Sequence, residues 1–348
     1  MEKRRKQRAL FLTVMLLAAL LCGCVRVVEN AQRKVIGVVA KRDGGSFWQA
    51  VLAGAEDAAM ENGYAITFRG PEVDGPEGLE TQKKIMALAL ENQVCGMVVA
   101  AVGPGLDGLL AQADEQYMPV IQFDSGIFPQ DLEKLKAEKC NPVVASVYTN
   151  NREAAALNAE HLFRAVRQDI AASMVPYVVG ILQHDRTATG VEREDGFRQK
   201  FIELGEEDPE TRGKFIVTTE HCPTEKQNAY GKALERLRKQ GARAVFLTNQ
   251  ETVNQTYDMI RNHPGLYDYM VFTGFDSGKK QVEWLRDSES PRLIGSVTQD
   301  PYQIGYNGVM QCINGMEARG VTAFVEVPAY WYDRENVEFL VNRNIVFD

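Results

Sequence analysis

Ten short runs rich in Val, Ile and Phe recur between residues 35 and 298, most of them followed by a stretch of helical period. This alternation restricts the chain to parallel sheets covered by helices. The runs are Val35–Ala40, Ala65–Arg69, Gly96–Val102, Val120–Asp124, Val143–Thr149, Tyr177–Gln183, Phe215–Thr219, Ala244–Thr248, Met270–Phe275 and Leu293–Thr298. Most lack a two-residue alternation, as strands buried on both faces should. Between them lie helical stretches such as Trp48–Asn62, Leu79–Glu91, Glu153–Ile170, Arg193–Leu204, Tyr230–Gln240 and Val282–Asp287. Parallel neighbours joined this way need right-handed crossovers.

A single sheet of ten strands would be unusually wide, so the pattern predicts two sheets of about five. The first passage between them falls at Thr149-Asn150-Asn151, after the fifth strand. A second falls at Gln299-Asp300-Pro301, where Pro301 interrupts a strand and starts a helix through Asn314. Ala323–Tyr332 would cross back. The expected fold class is therefore α/β, with two doubly wound parallel-sheet lobes joined by a multi-crossover hinge. Residues 34–149 and 300–325 form the first lobe, and 150–299 and 326–348 the second.

The first 24 residues read as an export signal. Lys3, Arg4, Arg5, Lys6 and Arg8 precede an apolar run, Ala9–Leu21, that is too short for a comfortable bilayer span. A plain membrane anchor helix is the alternative. Leu21-Cys22-Gly23-Cys24 resembles a lipobox, which implies cleavage after Gly23 and a diacylglycerol on Cys24. Residues 1–23 would then be a signal peptide and 24–33 a tether, with the rest held outside the cytoplasm by lipid alone. The chain carries 39 basic and 47 acidic residues; losing five basic residues and Glu2 with the leader would leave a net charge of −12. So acidic a surface repels nucleic acid and anionic headgroups, and neither is an expected partner. Cys95, Cys140, Cys222 and Cys312 are widely spaced without a CxxC pair, so free thiols are expected, with a Cys140–Cys222 bond left open.

Candidate recognition residues cluster at strand ends, where open parallel sheets place ligands. Phe47 and Trp48 follow Gly44-Gly45-Ser46 at a strand-to-helix loop. Their faces suit the C–H face of a sugar ring, and the alternative is packing into the lobe. Asp124 ends the fourth strand and Asp276 the ninth, one from each expected lobe. Each carboxylate can accept strong charge-assisted hydrogen bonds from hydroxyls; the alternative is capping of the following helix.

Seven landmarks appear together in order: Ser46-Phe47-Trp48 with Gly54, Pro119–Asp124, Thr149–Asn151, Gly190–Phe197, Gly274-Phe275-Asp276, Thr298–Pro301 followed by Gln303-Ile304-Gly305, and Val327-Pro328 with Glu335-Asn336-Val337. On these the chain resembles the periplasmic sugar-binding proteins of the ribose-binding type, the solute receptors of ABC importers, over Lys34 to Asp348. The resemblance implies a non-catalytic, monomeric receptor that takes a carbohydrate-like ligand and presents it to an ABC permease. A receptor reporting to a membrane sensor kinase is the alternative. It also implies amide contacts to the ligand from Asn249 and, at the hinge, Gln299. Four positions depart from the family pattern: Gly45, Ser125, Val191 and Gln250 stand where Asn, Arg, Arg and an acid are common. Ribose is therefore not the expected ligand. Arg186 or Arg193 could restore a cation, although Arg193, three residues after Gly190, fits a helix-face ion pair.

Rival chemistries are thinly supported. Gly103-Pro104-Gly105-Leu106-Asp107-Gly108 matches GxGxxG and would suggest an NAD-dependent dehydrogenase. It follows the third strand rather than the first, and Pro104 removes an amide donor where a pyrophosphate would need one. No cofactor is expected. His161, His184, His221 and His263 show no paired ligand spacing, so no metal is expected, and no GxSxG or P-loop lysine motif occurs. The lactose-repressor type of regulator shares the expected fold but carries a helix-turn-helix where this chain has its export signal. Finally, the Lys- and Glu-rich stretch Gly126–Pro142 predicts a small solvated surface helix around Leu132 and Leu135.

Overall fold

The computed structural model describes residues 34–73, 75–184, 188–222, 229–287, 293–343 and 345–346. The expected signal peptide, Cys24, the tether and Arg186 lie outside these residues.

The expected two sheets are present, each with six strands. In the first, β1 (Val35–Val39), β2 (Ala65–Arg69), β3 (Gly96–Val99), β4 (Val120–Phe123) and β5 (Val143–Tyr148) run parallel in the order β2-β1-β3-β4-β5. The second repeats the order with β6 (Tyr177–Gln183), β7 (Phe215–His221), β8 (Ala242–Leu247), β9 (Val271–Phe275) and β10 (Leu293–Gln299), as β7-β6-β8-β9-β10. Two further strands extend the outer edges. β11 (Phe324–Glu326) lies parallel to β5, and β12 (Ala329–Tyr332) lies antiparallel to β10. Both lie within Ala323–Tyr332, the stretch read in the sequence as the crossing back between lobes, so the pattern showed ten strands rather than twelve.

Eleven helices are described: α1 (Ser46–Glu61), α2 (Gly75–Glu91), α3 (Asp107–Glu115), α4 (Pro129–Ala137), α5 (Asn151–Ala172), α6 (Ala188–Glu207), α7 (Ala229–Lys239), α8 (Gln250–Asn262), α9 (Lys279–Arg286), α10 (Pro301–Met316) and α11 (Val337–Val341). They cover both faces of each sheet, which explains the missing alternation. Ile36, Val38, Val98 and Ile121 pack against α1 and α10, while Met97, Val99 and Val120 face Met86, Leu90 and Leu110. The second sheet divides in the same way, with Val179, Ile181 and Phe246 against α5 and α6, and Val245, Leu247 and Phe272 toward Leu234, Tyr257 and Trp284.

The chain passes between the sheets three times: from β5 to α5, from β10 to α10, and from β11 to β12. Local chemistry starts each new element. Asn150 caps α5 by accepting from the Glu153 amide at 3.2 Å. Asp300 caps α10 by accepting from the Gln303 amide at 3.0 Å, and Pro301 occupies the first turn, where its missing N–H costs nothing. α10 then returns to the first lobe and lies almost on the backbone of α1. A Cβ on Gly54 would meet the Tyr302 carbonyl oxygen at 2.0 Å, and one on Gly305 would meet that of Val51 at 2.0 Å. Gly196 serves the same purpose between α6 and α5, where a Cβ would lie 2.2 Å from the Arg152 carbonyl oxygen.

The four described cysteines are free, as expected, and the Cys140–Cys222 bond that was left open is not formed. Cys140 packs beside the first sheet and Cys222 is buried in the second, where burial pushes its thiol up to about 12. One expectation needs correction: the helix α4 of the Gly126–Pro142 stretch is not merely solvated. Its Asp131 is fully buried, and its carboxylate accepts from the amides of Gly105 at 2.8 Å and Leu106 at 3.1 Å.

Candidate functional site

The carboxyl ends of the strands in both sheets converge on a cavity of about 190 Å³. The first sheet contributes Lys41, Phe47, Trp48 and Asp124, and the second His184, Arg193, Asn249, Gln250, Asp276 and Gln299. All six residues singled out as ligand-binding candidates (Phe47, Trp48, Asp124, Asn249, Asp276 and Gln299) therefore border one space.

Asp124 and Asp276 occupy equivalent places, directly after β4 and β9, the fourth strand of each repeat. Both adopt the left-handed conformation, with φ of 53° and 62°. For a residue other than glycine this is uncommon, although Asp is among the side chains that tolerate it best. At Asp276 the surroundings hold it there: its carbonyl accepts from Tyr332 Oη at 2.8 Å, Gln281 Nε2 at 3.0 Å and Ser296 Oγ at 3.0 Å. Neither aspartate caps the next helix; those caps are Phe128 and Gly278.

The two carboxylates differ in their partners. Asp276 Oδ1 accepts from Gln299 Nε2 at 2.9 Å, and Oδ2 accepts from the Gln250 amide at 3.2 Å and lies 3.5 Å from Arg193 Nη1. The Asp124 carboxylate is held more loosely among the described residues, with the Ser125 amide donating to it. Burial raises its carboxyl above the usual range, against the pull of Lys41 and Arg193, with the charge of Asp276 adding to the rise. Electrostatic interaction between residues of opposite sheets places both aspartates in one field.

Arg193 is the residue sequence reasoning misplaced. It is not on an exposed helix face; it is 6% exposed. Nε donates to Asn151 Oδ1 at 2.8 Å and Nη1 to the Thr248 carbonyl at 3.1 Å, while the guanidinium lies 3.8 Å from the ring centre of Phe275. Its place three residues after Gly190 was visible in the sequence; only the turn of α6 toward the cleft was not. Val191, at the family's arginine position, is 41% exposed.

Trp48 combines the two roles considered for it. Its ring borders the cavity but also packs edge-on against Phe47 at 5.1 Å and Phe123 at 6.1 Å, leaving it 8% exposed. Asn249 likewise caps a helix while facing the cavity. Its Oδ1 accepts from the Thr252 amide at 2.9 Å, and Thr252 Oγ1 accepts from the Asn249 amide at 3.1 Å. This capping box commits the oxygen and leaves the NH2 for other partners.

The glycine-rich loop shows why it does not serve a pyrophosphate. Its Gly105 and Leu106 amides are already taken by the Asp131 carboxylate. Among the described residues no three His, Cys, Asp or Glu side chains form a metal-holding group. No described helix is long and apolar enough to cross a membrane.

Two doubly wound lobes, three crossings and a polar cavity between strand ends define a bilobal solute receptor. Residues 36–318 match the periplasmic binding protein domain model, and the chain belongs to this family, whose members work outside the cytoplasm. No curated protein matches the chain. Among solved structures, a Brachyspira murdochii protein described as an ABC transporter, LacI family transcriptional regulator is 28% identical with a TM-score of 0.80, over 91% of this chain and 99% of that one. An ABC transporter solute-binding protein from Agrobacterium vitis with bound D-fucose is 21% identical with a TM-score of 0.72, over 90% of this chain and 99% of its own. A carbohydrate transporter solute-binding protein from Agrobacterium radiobacter in complex with D-arabinose is 19% identical, also at 0.72, over 90% and 99%. These relatives are described as transport proteins or a regulator, not as enzymes.

Proposed function

We propose that this protein is a lipid-anchored extracytoplasmic receptor that closes two lobes, residues 34–149 with 300–325 and residues 150–299 with 326–348, on a sugar or sugar-like molecule. The closed form is then presented to an ABC importer. The observation that carries this reading is the pair Asp124 and Asp276, which border one cavity from opposite sheets in the same left-handed backbone conformation. A polyol offers several hydroxyl donors, and carboxylates approaching from two sides can hold them at once. Phe47 and Trp48 supply a flat apolar wall, and Asn249 and Gln299 supply amides. Arg193 joins them as the cation near both aspartates. The cavity is below the roughly 300–1,000 Å³ of pockets that hold drug-sized molecules, which favours one sugar ring over a chain.

Closure follows from this division of labour. Phe47, Trp48 and Asp124 receive the ligand on the first lobe, and Asn249 and Asp276 complete its shell when the hinge shuts. Ribose is a poor candidate: Ser125 turns its hydroxyl to the Ala101 carbonyl at 3.3 Å, and Val191 offers no cation.

A thermal-shift panel of monosaccharides and polyols tests the reading, backed by mass spectrometry of whatever co-purifies. A ligand that binds the native state raises the midpoint with its concentration. Asp124→Ala and Asp276→Ala should abolish that rise. A panel without any shift, or an unchanged affinity in both variants, would overturn the assignment. For the anchor, Cys24→Ser should release the protein from the membrane fraction.

A further inference from the structure

Gln250 stands where the family pattern has an acid, and its side chain does not turn into its own lobe. Nε2 donates to Ser46 Oγ at 3.0 Å. Ser46 is the first residue of α1 in the first lobe and Gln250 the first residue of α8 in the second, so this is a direct bond across the cleft at the rim of the cavity.

Three features prepare it. The Gln250 amide is tied to Asp276, and Asp276 in turn to the hinge residue Gln299. The path of the side chain is cleared by Gly278, where a Cβ would lie 2.1 Å from Gln250 Nε2. Gly278 has an extended backbone, φ 168°, so its lack of a side chain serves space rather than backbone freedom. Gly44 and Gly45, both at positive φ, shape the loop that presents Ser46 on the other side.

We infer that Gln250 is a closure latch: a positioning residue that joins the lobes through Ser46 whether or not a ligand is present. An acid here would carry a second charge beside Asp276; the neutral amide donates to the hydroxyl without that repulsion. The latch rests on the bilobal closure proposed above, but not on the ligand being a sugar. It biases the open–closed equilibrium, so the free protein keeps a measurable closed population and the liganded protein opens more slowly.

The test contains no sugar. One label is placed on each lobe, and interlobe distances of the free protein are measured by single-molecule energy transfer or paramagnetic relaxation. Wild type should show a closed minor population. Gln250→Ala and Ser46→Ala should each lower the closed-to-open ratio about two- to tenfold, the range of one neutral hydrogen bond, and the double variant should be no worse than either alone. Gly278→Ala leaves both partners in place but fills the path of the side chain, so it should match Gln250→Ala and add nothing to it. A free wild type without a closed population, or ratios unchanged in Gln250→Ala and Gly278→Ala, would overturn the latch. Either result would leave the sugar panel to judge the carbohydrate reading on its own.

Discussion

Replacing Arg193 by Ala should destabilise the second lobe far more than the first. The guanidinium donates to Asn151 Oδ1 and the Thr248 carbonyl, pairs with Asp276 and covers Phe275, with only 6% of the residue exposed. Hydrogen bonds to a charged group contribute about 1.5–3 kcal/mol each, and removing one partner of a buried ion pair costs about 3–5 kcal/mol because the other charge stays behind. These contributions are not additive, since they share one side chain. Asp276 also keeps its bonds from Gln299 and the Gln250 amide, which soften the loss. The expected net cost is about 3 kcal/mol. Tryptophans separate the lobes: Trp48 lies in the first core, while Trp284 and Trp331 lie with the second sheet. Urea unfolding of variants that keep only Trp48, or only Trp284 and Trp331, reports each lobe in turn. Arg193→Ala should move the second-lobe midpoint strongly and leave the first-lobe midpoint nearly in place. A second-lobe change below about 1 kcal/mol, the size expected of an exposed ion pair, would refute the structural role argued for this arginine.

Asp124 gives a pH signature: a carboxyl raised by burial is most easily accommodated when neutral, so its penalty appears as pH climbs from the unfolded value through the raised one. Asp124→Asn should therefore stabilise the free protein at pH 7, with the gain shrinking as pH falls through the raised value and gone by about pH 4, while affinity for any ligand found by the panel is lost; pH-resolved thermal melts check this. Gly54→Ala and Gly305→Ala each force a Cβ to about backbone contact between α1 and α10, and should cost at least about 1–3 kcal/mol in denaturant titrations of the first lobe. Thiol titration with an aromatic disulfide should find the half-buried Cys95 and Cys140 reactive in the native protein, and the buried Cys222 and Cys312 silent until denaturant is added.

Asp124 and Asp276 were legible in the sequence because an aspartate directly after an apolar run marks a strand end, and strand ends carry ligands in doubly wound sheets. Asn249 and Gln299 were named through the family resemblance alone, and both border the same cavity. Arg193 was misread because spacing on a helix gives the face a residue shares but not which way that face turns. Gln250 was read as a missing charge, since its partner Ser46 lies 204 residues away and no local pattern links them. Asp131 had the same defect as a signal: a charged residue in a charged helix looks solvated until the loop it clamps is brought beside it.

The sequence by itself determined the strand–helix alternation, hence two parallel sheets buried on both faces, and the three crossings between them. Those features depend on periodicity, proline and capping residues, which act within a few positions along the chain. Only the tertiary structure decided which strand ends face one another, which of the two aspartates is caged, and where the lobes touch. These depend on how the surfaces of the two lobes meet, and side chains hundreds of residues apart then share one local field and one set of hydrogen-bond partners.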